Sequence, residues 1–365
     1  MEKLENKKRK ITIAHLHVWD KKNKGDLAIV LAVQELLHSF FPACRIVDYP
    51  VSLLKEGTLD DAKKINKADF IVIGGGGIFY SYFLPYNHEF ISALTSPLFI
   101  FGAGYIKEVD APALSKKAAE SVAFLANLAK AVGVRDNNTK KFLVANGVKA
   151  AKIKVIGDPA AFLKEKKLNN VFLQKLKLST LDKNNNPIRI GLNLNYSGWL
   201  GFGKWRDDIL NSYREVISFF QEFAILKNRQ LEIYYLKHHP GEENIYKELG
   251  VKDIRLVDLS PSEHKYIYGQ MDLIIGMMLH VGVMAFGAKT AEISVAYDLR
   301  NYSFAEFIKC PELVIDLNKL KKGILLNRAK EVFNKKEKYE KLFERTKLTI
   351  LKKQEDFLSE IKKFL

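Results

Sequence analysis

The sequence predicts an α/β protein built from two doubly wound parallel-sheet domains that face a central cleft. Three observations predict it. Short apolar runs alternate with amphipathic segments, the alternation restarts after a polar stretch, and 365 residues exceed what one core usually supports. In the first half, residues 11–16, 70–73, 98–101, 131–134 and 153–156 read as strands, with helical patterns at 26–40, 115–129 and 138–146 between them. The polar stretch 164–187 carries the insert Asp182-Lys-Asn-Asn-Asn-Pro187 and reads as a loop. Beyond it, residues 188–194, 231–236, 254–257, 273–275 and 290–295 repeat the strand pattern. The expected organisation is an N-terminal domain at 1–165, a linker at 166–187, a C-terminal domain at 188–318 and a basic helical segment at 319–365. In that last segment, residues 327–365 read as helix, with Leu351, Leu358, Ile361 and Leu365 on one apolar face that docks on the body.

Composition narrows the classes. Apolar residues make up 47% of the chain, which is globular. The formal charge is +16, and residues 319–365 hold 15 Lys/Arg against 7 Asp/Glu, half of the excess. That basic surface suits an anionic membrane or a phosphorylated carrier. Nucleic acid is not an expected partner, because there is no zinc-ligand array, RNA-binding aromatic signature or helix-turn-helix. Cys44 and Cys310 stand far apart, which argues against a disulfide framework and fits a reducing cytosol. Residues 1–10 are too charged for a signal peptide, and the apolar run 273–288 is broken by His280 and too short to span a bilayer. The expectation is a cytoplasmic protein, peripheral at the inner face of the membrane where it meets lipid.

Chemistry is sought at strand ends, where open α/β sheets hold ligands. Asp272-Leu-Ile-Ile-Gly-Met-Met-Leu-His280 places one histidine just past a buried strand, able to exchange a proton near neutral pH. Gly74, Gly75, Gly76 and Gly77 follow another strand and allow close backbone approach to an anion, or form a tight turn. Gly102 and Gly104 end a third strand but lack a dinucleotide fingerprint. Gly25 is expected to turn the chain into the first helix and Asp26 to cap it. Arg135, Asp136 and Asp158 end neighbouring strands, so Arg135 and Asp158 either pair with each other or meet a ligand. Lys237 and His239 form a basic strand end suited to phosphate. No Asp-x-Asp triplet occurs and no set of His and carboxylates shows metal-ligand spacing, so metal-free chemistry is expected.

These motifs, in order, resemble those of the polysaccharide pyruvyl transferase family. The matching elements are Asn23-Lys-Gly-Asp-Leu-Ala-Ile29, Gly74 to Gly77, Gly102-Ala-Gly104, Val134-Arg-Asp136, Gly157-Asp-Pro159, Gly191-Leu-Asn193, Gly276-Met-Met-Leu-His280 and Ala296-Tyr-Asp298. The resemblance implies two Rossmann-like domains of the glycosyltransferase-B type, the first on the acceptor side and the second on the donor side. It also implies transfer of a pyruvyl group from phosphoenolpyruvate, as donor substrate and without a cofactor, to a sugar of a cell-surface glycan or its lipid-linked precursor. His280 matches the family histidine and is the acid/base candidate.

One departure stands out. The family usually reads Gly-Met-Arg-Leu-His, and this chain carries Met278 before Leu279, where the arginine is expected to contact phosphoenolpyruvate. A thioether cannot form that ion pair, a loss of roughly 2–5 kcal/mol. Arg135, Lys237, His239 and Arg300 are the cations available to compensate. The departure keeps two alternatives open. One is a metal-independent glycosyltransferase, with His239 and Pro240 near the phosphates of a nucleotide sugar and Glu292 near its ribose; on either enzymatic reading Asp158 and Asn193 are expected at the cleft. The other is a non-catalytic glycan-binding member.

Overall fold

The computed structural model describes residues 10–108, 111–169, 171, 187–195, 202–242 and 244–364. Most of the expected linker at 166–187 therefore lies outside the described residues, as does Leu365.

The first sheet contains β1 (Thr12–His17), β2 (Arg45–Pro50), β3 (Phe70–Ile73), β4 (Gly76–Phe79), β5 (Leu98–Tyr105), β6 (Ala131–Val134) and β7 (Ile153–Val155). Its order is β2-β1-β3-β5-β6-β7, with β4 paired to β5 off that path, and every pairing is parallel. The second contains β8 (Ile188–Leu192), β9 (Leu231–Leu236), β10 (Ile254–Val257), β11 (Leu273–Gly276), β12 (Glu292–Ala296) and β13 (Val314–Asp316). Its order β10-β9-β8-β11-β12-β13 is again wholly parallel. That is the 3-2-1-4-5-6 arrangement of a dinucleotide-binding fold, with its switch point between β8 and β11. In the first sheet the order reverses between β1 and β3. Both reversals leave a crevice at the carboxyl ends of the strands, and these ends carry the residues of the cleft.

Burial explains why the strands are so apolar. All four residues of β3 and of β11 are buried, because helices cover both faces of each sheet. Two of the strands missing from the sequence reading lack that signature. β2 is an edge strand, Arg45-Ile-Val-Asp-Tyr-Pro50, with no fully buried residue, and β13 is a three-residue edge. The glycine run was expected as a loop, yet Gly76 and Gly77 open β4.

The C-terminal segment is helical but not one helix. It starts at Ile324, breaks at Lys335 and continues as a long helix, Lys336–Ile361. The inward face is built from Tyr339, Phe343, Ile350, Gln354, Phe357, Leu358 and Ile361, while the expected Leu351 is half-buried. This helix touches both halves of the chain. Phe343 stacks edge-on with Phe286 at 5.1 Å, and Phe357 packs on Phe101 at 5.7 Å. Lys338, Lys341, Arg345, Lys352, Lys353, Lys362 and Lys363 remain exposed. No helix among the described residues is long and apolar enough to cross a membrane.

The halves are also tied by polar contacts. The Lys24 amide donates to His238 O at 3.0 Å and the Leu299 amide to Lys107 O at 3.2 Å. The buried Lys265 ammonium donates to Ala161 O at 2.8 Å and Leu163 O at 2.6 Å. Burial lowers the Lys265 pKa to about 7, so this tie is formed by a group that sheds its proton easily.

Candidate active site

A cleft of about 530 Å³ lies between the carboxyl ends of the two sheets. From the first half it is lined by Val18 and Trp19 after β1, Asp26 on the first helix (Lys24–Phe40), Gly77 and Tyr80 around β4, and Glu108 after β5. From the second half come Asn195 after β8, Met278, Leu279 and His280 after β11, and Tyr297 and Arg300 after β12.

His280 occupies the first turn of the helix Leu279–Gly287, which follows β11 directly. Its side chain is 9% exposed, and Nε2 lies 3.7 Å from Asp158 Oδ2. Asp158 is fully buried and holds Arg135 on its other side, with Arg135 Nη1 3.6 Å from the same oxygen. Burial pushes the Asp158 carboxyl up, but His280 and Arg135 outweigh it, and the net shift is downward. The carboxylate is thus charged and stands behind the imidazole, a placement that fixes the ring. On the other edge of the ring, a Cβ added to Gly25 would stand 2.3 Å from Nδ1, so only glycine leaves room for His280 at this place. Asn193 is buried beneath the site, where its Oδ1 accepts from the Met278 amide at 3.2 Å and sets the turn ahead of His280.

Arg300 lines the cleft and is anchored by Asp298, which accepts from its backbone N and its Nε, both at 2.8 Å, and from Nη2. Its Nη1 makes no hydrogen bond with a described residue, so the cation retains a donor for a ligand. Asp26 is partly buried beside these groups; burial raises its pKa, while His280 and Arg300 draw it back. Tyr80 donates to Glu108 at 2.7 Å, and burial together with that carboxylate pushes its hydroxyl up to about 12.

Several expected site residues lie elsewhere. Asp26 is not the helix cap: Asn23 is, accepting from the Gly25 amide at 3.0 Å, because the helix begins two residues earlier than its apolar pattern. Arg135 does not reach the cleft; it is buried against Gly104, where an added Cβ would meet the guanidinium at 2.3 Å. Lys237 and His239 line a separate recess of about 340 Å³ with Lys21, Lys22 and Lys24, and Asp258 pairs with both Lys24 and Lys237. Gly77 alone of the glycine run lines the cleft. Gly74, at φ +109, and Gly75 pack against the backbone of β5, and Gly102 packs on Pro159. Glu292 is wholly internal, packed against Gly276 and Gly282 instead of facing a ribose. Tyr297, inside the Ala296-Tyr-Asp298 motif, also lines the cleft, and Trp19, Tyr80, Glu108 and Asn195 join it without having been expected there. Their one available signal is position, each lying within a few residues of a strand's carboxyl end.

Glu292 makes a measurable prediction. Burial raises its pKa well above the usual carboxyl value, so the folded state favours the neutral acid. Its contribution to stability is full below the unfolded pKa and is lost as pH rises toward the folded value. Urea unfolding of Glu292→Gln should therefore show a gain relative to wild type that grows between about pH 5 and about pH 8. A difference independent of pH would mean that Glu292 is not buried as a neutral acid.

Two facing parallel-sheet domains with a ligand cleft between their strand ends define a glycosyltransferase-B-like architecture. Solved structures share it over nearly the whole chain. S. aureus MnaA with UDP matches with a TM-score of 0.58 at 12% identity, covering 92% of this chain and 91% of that one. Anabaena Alr3699/HepE in complex with UDP and glucose matches with a TM-score of 0.57 at 11% identity, covering 96% and 99%. UDP-GlcNAc 2-epimerase from Methanocaldococcus jannaschii matches with a TM-score of 0.54 at 13% identity, covering 88% and 92%. No curated protein sequence matches the chain. The chain belongs to the polysaccharide pyruvyl transferase family, whose model matches residues 23–298.

Proposed function

We propose that this protein transfers the pyruvyl group of phosphoenolpyruvate to a sugar of a cell-surface glycan or its precursor, forming a ketal. The observation that carries this reading is the convergence, in one cleft, of His280 backed by Asp158, the anchored Arg300 cation and the amino end of the Leu279–Gly287 helix. A helix amino terminus and an arginine both favour an anion, and together they offset the arginine missing at Met278. His280 protonates the methylene carbon of phosphoenolpyruvate, and a sugar hydroxyl adds to the carbon bearing the carboxylate. The carbon–oxygen bond to phosphate then breaks, and a second hydroxyl closes the ketal. Two hydroxyl protons are released, replacing the one delivered to the methyl carbon and the one that leaves on phosphate. The walls suit a sugar acceptor. Trp19 offers a face for a pyranose ring, and Asp26 and Glu108 can accept its hydroxyls.

A second reading has specific support. The similar solved structures are described with UDP or as enzymes of UDP-GlcNAc, and the recess holding Lys24, Lys237 and His239 carries positive charge suited to a diphosphate. Calorimetric titration of wild type and Met278→Arg with phosphoenolpyruvate and with UDP-N-acetylglucosamine separates the two. The pyruvyl reading expects phosphoenolpyruvate to bind wild type, and the variant to bind it equally well or up to about tenfold tighter. Tight UDP-sugar binding by wild type, lost in the variant and with no phosphoenolpyruvate signal in either, would overturn it.

A further inference from the structure

Beneath the wall of the cleft, β1 and β2 assemble a cluster that the proposed reaction does not use. His15 and His17 stand two residues apart on β1 and so share one face of the strand, and Asp48 on β2 is in register with His15. The His15 side chain is fully buried, that of His17 is 9% exposed and that of Asp48 41% exposed. One nitrogen of each ring is already assigned by its neighbour. His15 Nε2 lies 2.5 Å from Gly74 O, and His17 Nδ1 lies 2.8 Å from Val18 O. A carbonyl oxygen only accepts, so each of these nitrogens carries the ring proton, and in a neutral imidazole the other nitrogen is a lone pair.

Those lone pairs point at a carboxylate. His17 Nε2 is 3.1 Å from Asp48 Oδ1 and His15 Nδ1 is 4.0 Å from it, and one ligand atom from each of the three residues falls within 4.8 Å of the others. Three acceptors facing one another repel unless something positive lies between them. A proton on His17 satisfies one contact and leaves His15 Nδ1, fully buried, with no hydrogen-bond partner among the described residues. A divalent cation satisfies all three together.

We propose that His15 Nδ1, His17 Nε2 and the Asp48 carboxylate hold a divalent transition-metal ion of the zinc class. Two imidazoles and one carboxylate suit such metals, whereas Mg²⁺ and Ca²⁺ prefer all-oxygen sites. Bonds of about 2.0–2.1 Å in a tetrahedron place ligand atoms about 3.3 Å apart, so the His17 pair is already in place and the His15 pair closes by about 0.7 Å. The surroundings are those of a metal site. Each histidine gives its other N–H to a carbonyl, and Gln34 Nε2 donates to Asp48 at 2.7 Å, fixing the carboxylate. The partly exposed side of Asp48 leaves the remaining coordination position to water.

The ion ties together pieces of the cleft wall. Gly74 belongs to the glycine run, and His17 stacks on the cleft residue Trp19 with centroids 5.3 Å apart and planes 12° from parallel. Its role is to hold the ends of β1 and β2 and the glycine run in register, independent of which donor the cleft accepts.

The test is calorimetric titration of untagged, chelator-treated full-length protein with Zn²⁺, with Mg²⁺ as control, followed by thermal unfolding. One equivalent of Zn²⁺ should bind and raise Tm by several degrees. His17→Gln and the half-exposed Asp48→Asn should each weaken binding on the order of 100-fold or more with unchanged circular dichroism. His88→Gln, which alters a histidine outside the cluster, should bind as wild type does. Absence of Zn²⁺ binding at micromolar concentration, an equal response to Mg²⁺, or wild-type affinity in Asp48→Asn would overturn the proposal.

Discussion

Replacing His280 with glutamine is expected to lower the rate of pyruvyl transfer by about 10²–10⁴-fold, the usual contribution of a positioned acid/base group. Gly25→Ala should approach the same loss without replacing any reacting group. A methyl placed 2.3 Å from Nδ1 and 2.7 Å from Cγ of His280 forces the ring away from its place over the cleft. Alanine favours a helix by roughly 1 kcal/mol over glycine, so helix propensity alone does not predict a folding defect. Phosphate release from phosphoenolpyruvate with a sugar acceptor, alongside circular dichroism, measures both variants. Activity of His280→Gln within a few fold of wild type would remove His280 from the chemistry.

The second large effect belongs to Asp158, a positioning residue. It holds Arg135 at 3.6 Å and His280 at 3.7 Å from one oxygen, all in the interior. Asp158→Asn leaves the Arg135 cation buried with Asp136, at 3.4 Å, as its one ion-pair partner among the described residues. The expected cost is about 3 kcal/mol, typical of breaking a buried pair from one side. Because the Asp158 pKa is lowered in the folded state, its stabilisation is present above the unfolded pKa and is lost as pH falls through the folded one. Urea unfolding should therefore show a large gap between wild type and variant at about pH 7 that narrows at about pH 3. The variant should also lower kcat more than it raises KM, since the imidazole loses the side chain 3.7 Å behind it that fixes its place. An equal gap at both pH values would mean that Asp158 is not ionised in the native protein.

Much of the fold was legible because burial on both faces leaves a continuous apolar imprint. Residues 70–73, 131–134 and 231–236 have the same limits in sequence and structure, and so does the edge strand 254–257, which is mostly apolar although only Val257 in it is fully buried. β2 escaped because an edge strand is only half covered and need not be apolar, and with it went the pairing that brings Asp48 to His15. That is why no metal-ligand spacing was visible: the partners are two residues apart on one strand and 31 away on another. In the candidate site, position at a strand end placed His280, Met278, Leu279, Arg300 and Asp26 at the cleft. It also suggested Arg135 and Lys237, whose side chains turn to buried or lateral partners, while Glu292, named only for a nucleotide sugar, opens its strand and faces inward. Strand ends are readable from sequence, whereas the direction of a long side chain is decided by charges brought near in space, such as Asp158 for Arg135 and Asp258 for Lys237.

The helix that packs Phe357 on Phe101, and the turn after it that brings Phe364 to Phe99, bear on how the chain acquires its structure during synthesis. About 260 residues separate these aromatic partners. At ribosomal speeds of roughly 5–20 residues per second, the first sheet waits about 10–50 s before the segment that covers it is made. During that interval Phe99, Phe101 and the face beside Gly133 present an apolar surface with no native cover. The nascent first half is therefore the aggregation-prone species of this protein and the stage at which a chaperone would engage it.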